Sequence, residues 1–142
     1  IASLLGACIF SACQNEASKA KIRVEQPVQV DTFPGSCPYL TKDTKGNTVL
    51  SWARTINDST FIFCYAVSKD GKSFSAPIVI PSSSNLKPHG ENIPKLIFKP
   101  SGEVIAVWGA ASADPRNRYA GRVFYAQSFD DGRTWSNAQA IG

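Results

Sequence analysis

The chain has 142 residues, of which 43% are hydrophobic and 18% charged, and this composition suits one globular domain with a core. Its net charge of +4 comes from scattered lysines and arginines without a basic run, so we expect no nucleic-acid partner. No run of about 18 apolar residues occurs, so the sequence predicts no transmembrane helix.

The first 13 residues are apolar and small, and polar residues follow at once. This pattern is typical of the end of a secretory signal peptide, and a buried first helix or strand is the alternative. Cys13 follows small residues, as in a bacterial lipoprotein cleavage site, whereas Cys8 has the better-placed leucine before it. We favour lipidation at Cys13, because cleavage at Cys8 would leave Ile9 and Phe10 exposed. A lipid-anchored protein of the bacterial cell envelope is therefore expected.

Residues 14–30 are polar and have no helical apolar stripe, so we interpret them as a tether. The chain begins at Ile1 rather than at a methionine and ends at Gly142, just after an apparent strand. Both features favour a fragment, in which residues 31–142 form the folded part.

From residue 31 onward the chain repeats itself. Three residues recur after 56 positions and a tyrosine recurs after 60: Pro38 as Pro94, Gly46 as Gly102, Trp52 as Trp108, and Tyr65 as Tyr125. Such a repeat, made of four short strands, is the signature of a β-propeller blade. The predicted strands lie near 36–41, 47–53, 60–67 and 76–81, then near 92–98, 103–109, 122–128 and 135–141. Residues 81–90 are the predicted crossing between the blades.

The stretch from Ser128 to Trp135 reads Ser-x-Asp-x-Gly-x-Thr-Trp. We interpret it as a hairpin turn that caps itself, because Ser128 and Asp130 can accept hydrogen bonds from backbone N–H groups of the turn. Gly132 can adopt the positive φ that such a turn needs. Thr134 and Trp135 begin the next strand, and the indole can cover the edge of the core.

This stretch resembles the Asp-box of the sialidase (BNR-repeat) superfamily, and a copy that is one residue short occupies residues 68–74. The resemblance covers roughly residues 35–142 and implies an all-β, sialidase-like β-propeller of six blades, about two of which are present here. It also implies that the Asp-box is structural and remote from the catalytic centre. Two blades alone would leave sheet faces uncovered, which again favours a truncated chain.

Cys37 begins the first predicted strand and Cys64 lies in the third, so one strand separates them. Their Cα atoms would then be about 9–10 Å apart, whereas a disulfide needs less than about 7 Å. We predict two buried free thiols. No Cys or His cluster has metal-ligand spacing, so neither a metal nor a cofactor is expected.

Sialidases, according to this resemblance, hold a sugar carboxylate with three arginines, use a Tyr backed by a Glu as nucleophile, and use an Asp as acid/base. The first arginine belongs to an Arg-Ile-Pro motif, which here reads Ser36-Cys37-Pro38 in one blade and Asn92-Ile93-Pro94 in the other. Neither triplet supplies the positive charge, which counts against sialidase catalysis. The Tyr/Glu pair would lie in blades beyond this chain.

Two other positions match the family better. Arg54 followed by Asp58 resembles the second arginine, which binds substrate, and the catalytic acid. In the second blade Asp114 is the candidate catalytic acid, with Arg116 and Arg118 after it rather than before it. A solvated loop pair and an Asp-Pro turn are the alternatives, and which blade matches the catalytic one stays open.

His89, Glu91 and Asn92 form a polar cluster at the entry to an innermost strand, where residues face the central channel. We interpret them as binding residues for a sugar or another polar ligand, and a polar entry loop is the alternative. Trp52 and Trp108 occupy equivalent positions of the repeat, which favours a core role for both.

Three functions are compatible with these patterns. The first is an exported, sialidase-like glycoside hydrolase of the exo-α-sialidase type. The second is a non-catalytic propeller that binds glycans or interacts at the cell surface, and the third is a structural scaffold. The first two predict a glycan or other small polar ligand as the partner, and a membrane contact only through the lipid anchor.

Overall fold

The computed structural model describes residues 26–112, 114–117 and 120–142. Its strands are β1 (Gly35–Lys42), β2 (Thr48–Asn57), β3 (Thr60–Ser68), β4 (Ile78–Ile80), β5 (Lys95–Phe98), β6 (Val104–Ala110), β7 (Arg122–Ser128) and β8 (Gln139–Ala140). They form two four-stranded antiparallel sheets, β1-β2-β3-β4 and β5-β6-β7-β8. The predicted all-β class and the two groups of four strands are confirmed.

Several predictions lie outside the described residues: the signal peptide, Cys8, Cys13, Arg118 and the tether up to residue 25. Across the described ranges, no helix is long and apolar enough to cross a membrane.

The strand boundaries differ from the prediction mainly at three kinds of place. β2 continues to Asn57, four residues beyond its predicted end at residue 53. The outermost strands β4 and β8 are shorter than predicted, and Pro77, which cannot donate to a strand ladder, directly precedes β4. β5 begins at Lys95 rather than at residue 92, because Pro94 lacks an N–H and packs as a fully buried residue. The crossing between the sheets contains a short 3-10 turn at Pro81–Ser83.

Each sheet has two faces, because alternate strand residues point to opposite sides. We name them the Trp face, which carries Trp52 or Trp108, and the Tyr face, which carries Tyr65 or Tyr125. The main core lies between the Tyr face of the first sheet and the Trp face of the second; it contains Val49, Ala53, Phe63, Tyr65, Ile80, Leu86, Leu96, Val104, Ala106, Trp108 and Ala126. Trp52 begins a second cluster on the Trp face of the first sheet, with Cys64, Ala66 and the partly buried Val30, Leu50, Ile62, Phe74 and Val79.

Both repeated tryptophans are buried, Trp52 at 6% exposure and Trp108 at 1%, so their predicted core role is confirmed. Each indole N–H also donates a hydrogen bond to the segment that leads into its sheet. Trp52 donates to Asp31 at 3.0 Å and Trp108 donates to Asn85 at 2.7 Å. These bonds satisfy the one polar atom of each buried ring and fix both lead-in segments in matching positions.

The turn at residues 128–134, which we name the Asp-box turn after the motif that it resembles, caps itself as predicted. Ser128 Oγ donates to Asp130 at 2.8 Å and accepts the Gly132 N–H at 2.9 Å. Asp130 accepts the backbone N–H of Thr134 at 2.8 Å and its hydroxyl at 2.6 Å. These bonds, first of all the hydroxyl of Thr134, lower the pKa of Asp130 to about 2. Gly132 adopts a φ of 84°, as the prediction required.

Both described cysteines are free thiols. Cys64 is fully buried, and burial raises its pKa to about 11. Cys37 is only half-buried, contrary to the prediction. It has a φ of 53° and lies where the register of β1 shifts between Ser36 and Tyr39, so its side chain leaves the regular alternation of the strand.

Candidate functional site

The antiparallel strand order gives both sheets two distinct ends. The Asp-box end carries the turn at residues 128–134 and its shorter copy at 68–73. The opposite end, which we name the entry end because β1 and β5 begin there, carries the β2–β3 turn, residues 85–94 and the loop between β6 and β7. Because each strand reverses direction, every predicted catalytic or binding residue lies at the entry end.

Arg54 lies near the entry end of β2 and is 14% exposed. Its Nε donates to Asp31 Oδ2 at 2.7 Å, and its guanidinium lies over the ring of Phe33, 4.9 Å from the centroid. Burial pushes the pKa of Asp31 upward, but the bonds from Arg54, Trp52 and the Phe33 N–H outweigh it and lower the pKa. Arg54 therefore holds the lead-in segment on the first sheet, and part of its charge is already compensated by Asp31.

A cavity of about 320 Å³ lies beside this ion pair, lined by Gln29, Val30, Asp31, Thr32, Arg54 and Pro77. Asp58, the predicted acid, is four residues away at the exposed tip of the β2–β3 turn. That tip is ordered by Asn57, whose Oδ1 accepts the Ser59 N–H at 3.1 Å. The structure thus places Asp58 in solvent, apart from the Arg54–Asp31 pair.

The polar cluster of His89, Glu91 and Asn92 forms a turn that is closed by hydrogen bonds to His89. The Glu91 N–H donates to His89 Nδ1 at 3.3 Å, and the Asn92 N–H donates to the His89 carbonyl at 3.1 Å. The thiol of Cys37 donates to the same carbonyl at 3.7 Å, which links the cluster to the first sheet. All three side chains of the cluster are exposed, and β5 starts only at Lys95, so they precede the strand rather than lie on it.

His89, Glu91 and Asn92 line a cavity of about 770 Å³, together with Lys87, Lys95 and Ser112. This lining offers imidazole, carboxylate, amide, hydroxyl and ammonium groups, which can donate to and accept from a hydroxylated ligand. Its apolar floor comes from Ile93, Val107 and Val123. Among the described residues that line this cavity the cations are lysines, so the bidentate fork of an arginine does not enter it.

Sequence reasoning missed one contact between the sheets at this end. The ammonium of Lys95 lies over the ring of Tyr39, 3.5 Å from the centroid, which is a cation–π contact between β5 and β1. The two residues are 56 positions apart and are therefore equivalent in the repeat. That offset was the available signal, because equivalent positions of adjacent innermost strands lie side by side.

Asp114 stabilises its own turn. It accepts the backbone N–H of Arg116 at 2.9 Å and the Nε–H at 3.3 Å, and its own N–H donates to Ser112 at 3.1 Å. It lines a cavity of about 450 Å³ with Ser112, Arg116 and Arg122. Ser112 lines this cavity and the larger one, so the two cavities adjoin. The candidates of the second sheet thus line two adjoining cavities, whereas Arg54 and Asp58 lie on the first sheet.

Within the described residues, no group of three or more His, Cys, Asp and Glu side chains could hold a metal ion. Compared with known proteins, the chain matches no protein-family model, and no curated protein matches it.

Proposed function

We propose that this chain is part of a sialidase-like β-propeller, and that its entry end binds a glycan or another small polar ligand. The observation that carries the proposal is the separation of the two ends. The Asp-box closes on itself at one end, while the exposed side chains of His89, Glu91 and Asn92 line an open cavity at the other.

Two features support binding over hydrolysis. The cavity of the cluster offers hydrogen-bonding groups that suit sugar hydroxyls, and its apolar floor suits the C–H face of a ring. Arg54, the residue that resembles the family's second arginine, bonds Asp31 and is covered by Phe33. Because Asp31 already compensates part of the charge of Arg54, strong binding of a sugar carboxylate there is disfavoured.

The binding test uses an uncharged oligosaccharide panel and the same glycans capped with sialic acid, with affinity measured by calorimetry. We expect the double variant His89→Ala/Asn92→Ala to weaken binding by about tenfold or more, because two hydrogen-bonding groups are lost. Lys69→Ala, which removes a polar side chain at the Asp-box end, is the matched control and should leave affinity unchanged. Equal affinity of the cluster variant and the unchanged chain contradicts the site.

A glycoside hydrolase of the exo-α-sialidase type is the second candidate, and one observation favours it. Arg54 and Asp58 lie at the entry end with the order and spacing for which the family resemblance was stated. The test is release of free sialic acid from a sialylated trisaccharide over time, by a protein that includes the remaining blades. Asp58→Asn is the diagnostic variant, because Asp58 is exposed and its replacement leaves the core intact. Release that Asp58→Asn abolishes supports the hydrolase, and absence of release from that folded protein contradicts it.

The same proposal includes export and a lipid anchor at Cys13. Its support is the apolar segment of residues 1–13, which ends in small residues before a cysteine. Detection of a lipid-modified Cys13 peptide by mass spectrometry tests it, and modification of Cys8 instead would correct the position.

A further inference from the structure

The two equivalent tyrosines of the repeat differ in what their hydroxyls bond. Tyr125 donates to Gln139 Oε1 at 2.7 Å, and Gln139 is its cross-strand partner on β8. Tyr65 has Ile78 as the corresponding partner on β4, and an isoleucine side chain offers no hydrogen-bonding atom. Within the described part of the chain no residue bonds the Tyr65 hydroxyl, although Tyr65 is only 2% exposed. A buried hydroxyl without a partner is costly, and a phenylalanine would place the same ring there without that cost.

Tyr65 lines a cavity of about 220 Å³ between the two sheets at the Asp-box end. Its ring packs edge-on against Phe98 and Trp135, and its hydroxyl reaches Gly132 so closely that a Cβ there would lie 2.0 Å away. The hydroxyl therefore lies beside Asp131, which belongs to the cavity wall. The apolar part of this wall comes from Val67, Ile78, Phe98 and Val104. The cavity is smaller than the roughly 300–1,000 Å³ of pockets for drug-sized ligands, so it suits a small molecule.

Three carboxylates of the described residues line this cavity, and two of them are engaged within the protein. Glu103 pairs with Lys99. Asp43 accepts the backbone N–H of Asn47 at 2.9 Å and its side-chain N–H at 2.8 Å. The third carboxylate, that of Asp131, has no hydrogen bond or ion pair from any residue that the structure describes. It is therefore free to meet a ligand.

The free carboxylate of Asp131 makes this corner of the cavity suitable for a positive charge. Burial first, and then the carboxylates of Asp131 and Asp130, raise the pKa of Tyr65 to about 12, so its hydroxyl stays protonated. The negative potential of these carboxylates favours an ammonium, which can donate to the Tyr65 oxygen and to Asp131 together. On the same rim Lys45 and Lys69 form no ion pair with a described residue, so they can receive a carboxylate.

We propose that this cavity binds a small zwitterion with an apolar side chain, such as a free aliphatic amino acid. The ammonium of the ligand lies between the Tyr65 hydroxyl and Asp131, and its carboxylate meets the two unpaired lysines of the rim. Its side chain packs on the apolar wall of the cavity. The site lies at the Asp-box end, whereas the proposed glycan site lies at the entry end, so either proposal can fail without the other.

The first measurement is a calorimetric titration of the chain with L-leucine, whose side chain suits the apolar wall. Tyr65→Phe should lower the affinity by about tenfold or more, because it removes the hydroxyl and keeps the ring. Tyr125→Phe is the matched control and should leave the affinity unchanged, because the Tyr125 hydroxyl is engaged by Gln139. Urea unfolding checks the fold: Tyr65→Phe should not lower the midpoint, since no hydrogen bond is lost.

A second probe separates the charged groups of the ligand. Isocaproate has the carbon skeleton of leucine without the ammonium, and it should bind at least about tenfold more weakly. Asp131→Asn should narrow that difference, and asparagine tolerates the φ of 57° at this position. Leucine that does not bind to the unchanged chain overturns the site, and so does equal affinity of Tyr65→Phe, which would mean that the hydroxyl bonds only water. Equal binding of isocaproate and leucine to the unchanged chain overturns the place of the ammonium at Asp131.

Discussion

The turns at residues 128–134 and 68–73 are both capped by the carboxylate of an aspartate, although the second turn is one residue shorter. In the complete box, Asp130 bonds Ser128 and Thr134. In the shorter copy, Asp70 accepts the Ser68 hydroxyl at 3.0 Å, the Ser73 N–H at 2.9 Å and the Ser73 hydroxyl at 2.7 Å. The loss of one residue therefore leaves the carboxylate cap intact.

What differs is the connection of each turn to a neighbouring sheet. Gly132 lies against Tyr65 of the first sheet, and Trp135 bonds the Gly132 carbonyl at 3.0 Å while packing on the same tyrosine. Gly71 faces open space. The self-capping bonds are thus local and survive shortening, whereas the role of the glycine depends on which sheet covers it. Substitutions of the tyrosines, the glycines and the aspartates test this difference between the two turns.

The largest effect is expected at the tyrosines. Tyr65→Ala should lower the free energy of unfolding by about 3–5 kcal/mol, because it removes a large ring from the contact between the sheets. Tyr125→Ala should cost clearly less, because Tyr125 is only half-buried, on the face of the second sheet outside the main core, and its hydroxyl donates to Gln139 at 2.7 Å. Urea unfolding of both variants measures the difference. Equal costs would mean that the contact between the sheets contributes little.

The two glycines should also differ in how much an alanine substitution lowers the free energy of unfolding. Both have a positive φ, 71° at Gly71 and 84° at Gly132, so Gly71→Ala should cost only the backbone strain of about 1–2 kcal/mol. Gly132→Ala adds the clash with the Tyr65 hydroxyl, which we expect to cost about 1–3 kcal/mol more. Adding Tyr65→Phe to Gly132→Ala should recover part of that excess, since it removes the atom 2.0 Å from the new Cβ. Equal losses at the two glycines would contradict the close approach.

Patterns that are local or repeated were predictable from the sequence. The Asp-box positions set their own hydrogen bonds within seven residues, and the recurrence of Trp52 as Trp108 identified a buried position. The four strands of each sheet followed from the same repeat, apart from the short outermost strands, the extension of β2 to Asn57 and the late start of β5 at Lys95.

Contacts between distant segments were not predictable in the same way. Arg54 looked like a free binding residue, because its partner Asp31 lies 23 positions away, before the first predicted strand. The half-buried state of Cys37 depends on the register shift between Ser36 and Tyr39, which no residue pattern predicted. At the entry end, the sequence identified His89, Glu91 and Asn92 as one polar cluster, but the sharing of one cavity by His89 and Ser112 depends on how the strands end.

Substitution of the two aspartates should have the smallest effect on stability, and this effect should depend on pH. Bonds led by the Thr134 hydroxyl lower the pKa of Asp130 from 3.8 to about 2, and bonds led by the Ser73 N–H also lower the pKa of Asp70. A carboxyl with a lowered folded-state pKa contributes stability that is complete above its unfolded-state pKa and is lost as pH falls through the folded value. Stability should therefore fall as the pH drops below about 4 towards the lowered folded-state pKa values, and Asp130→Asn and Asp70→Asn should each flatten this decline. Acid titrations followed by circular dichroism measure it. A flatter decline in only one variant would show that the two caps, alike in their bonds, differ in what they hold together.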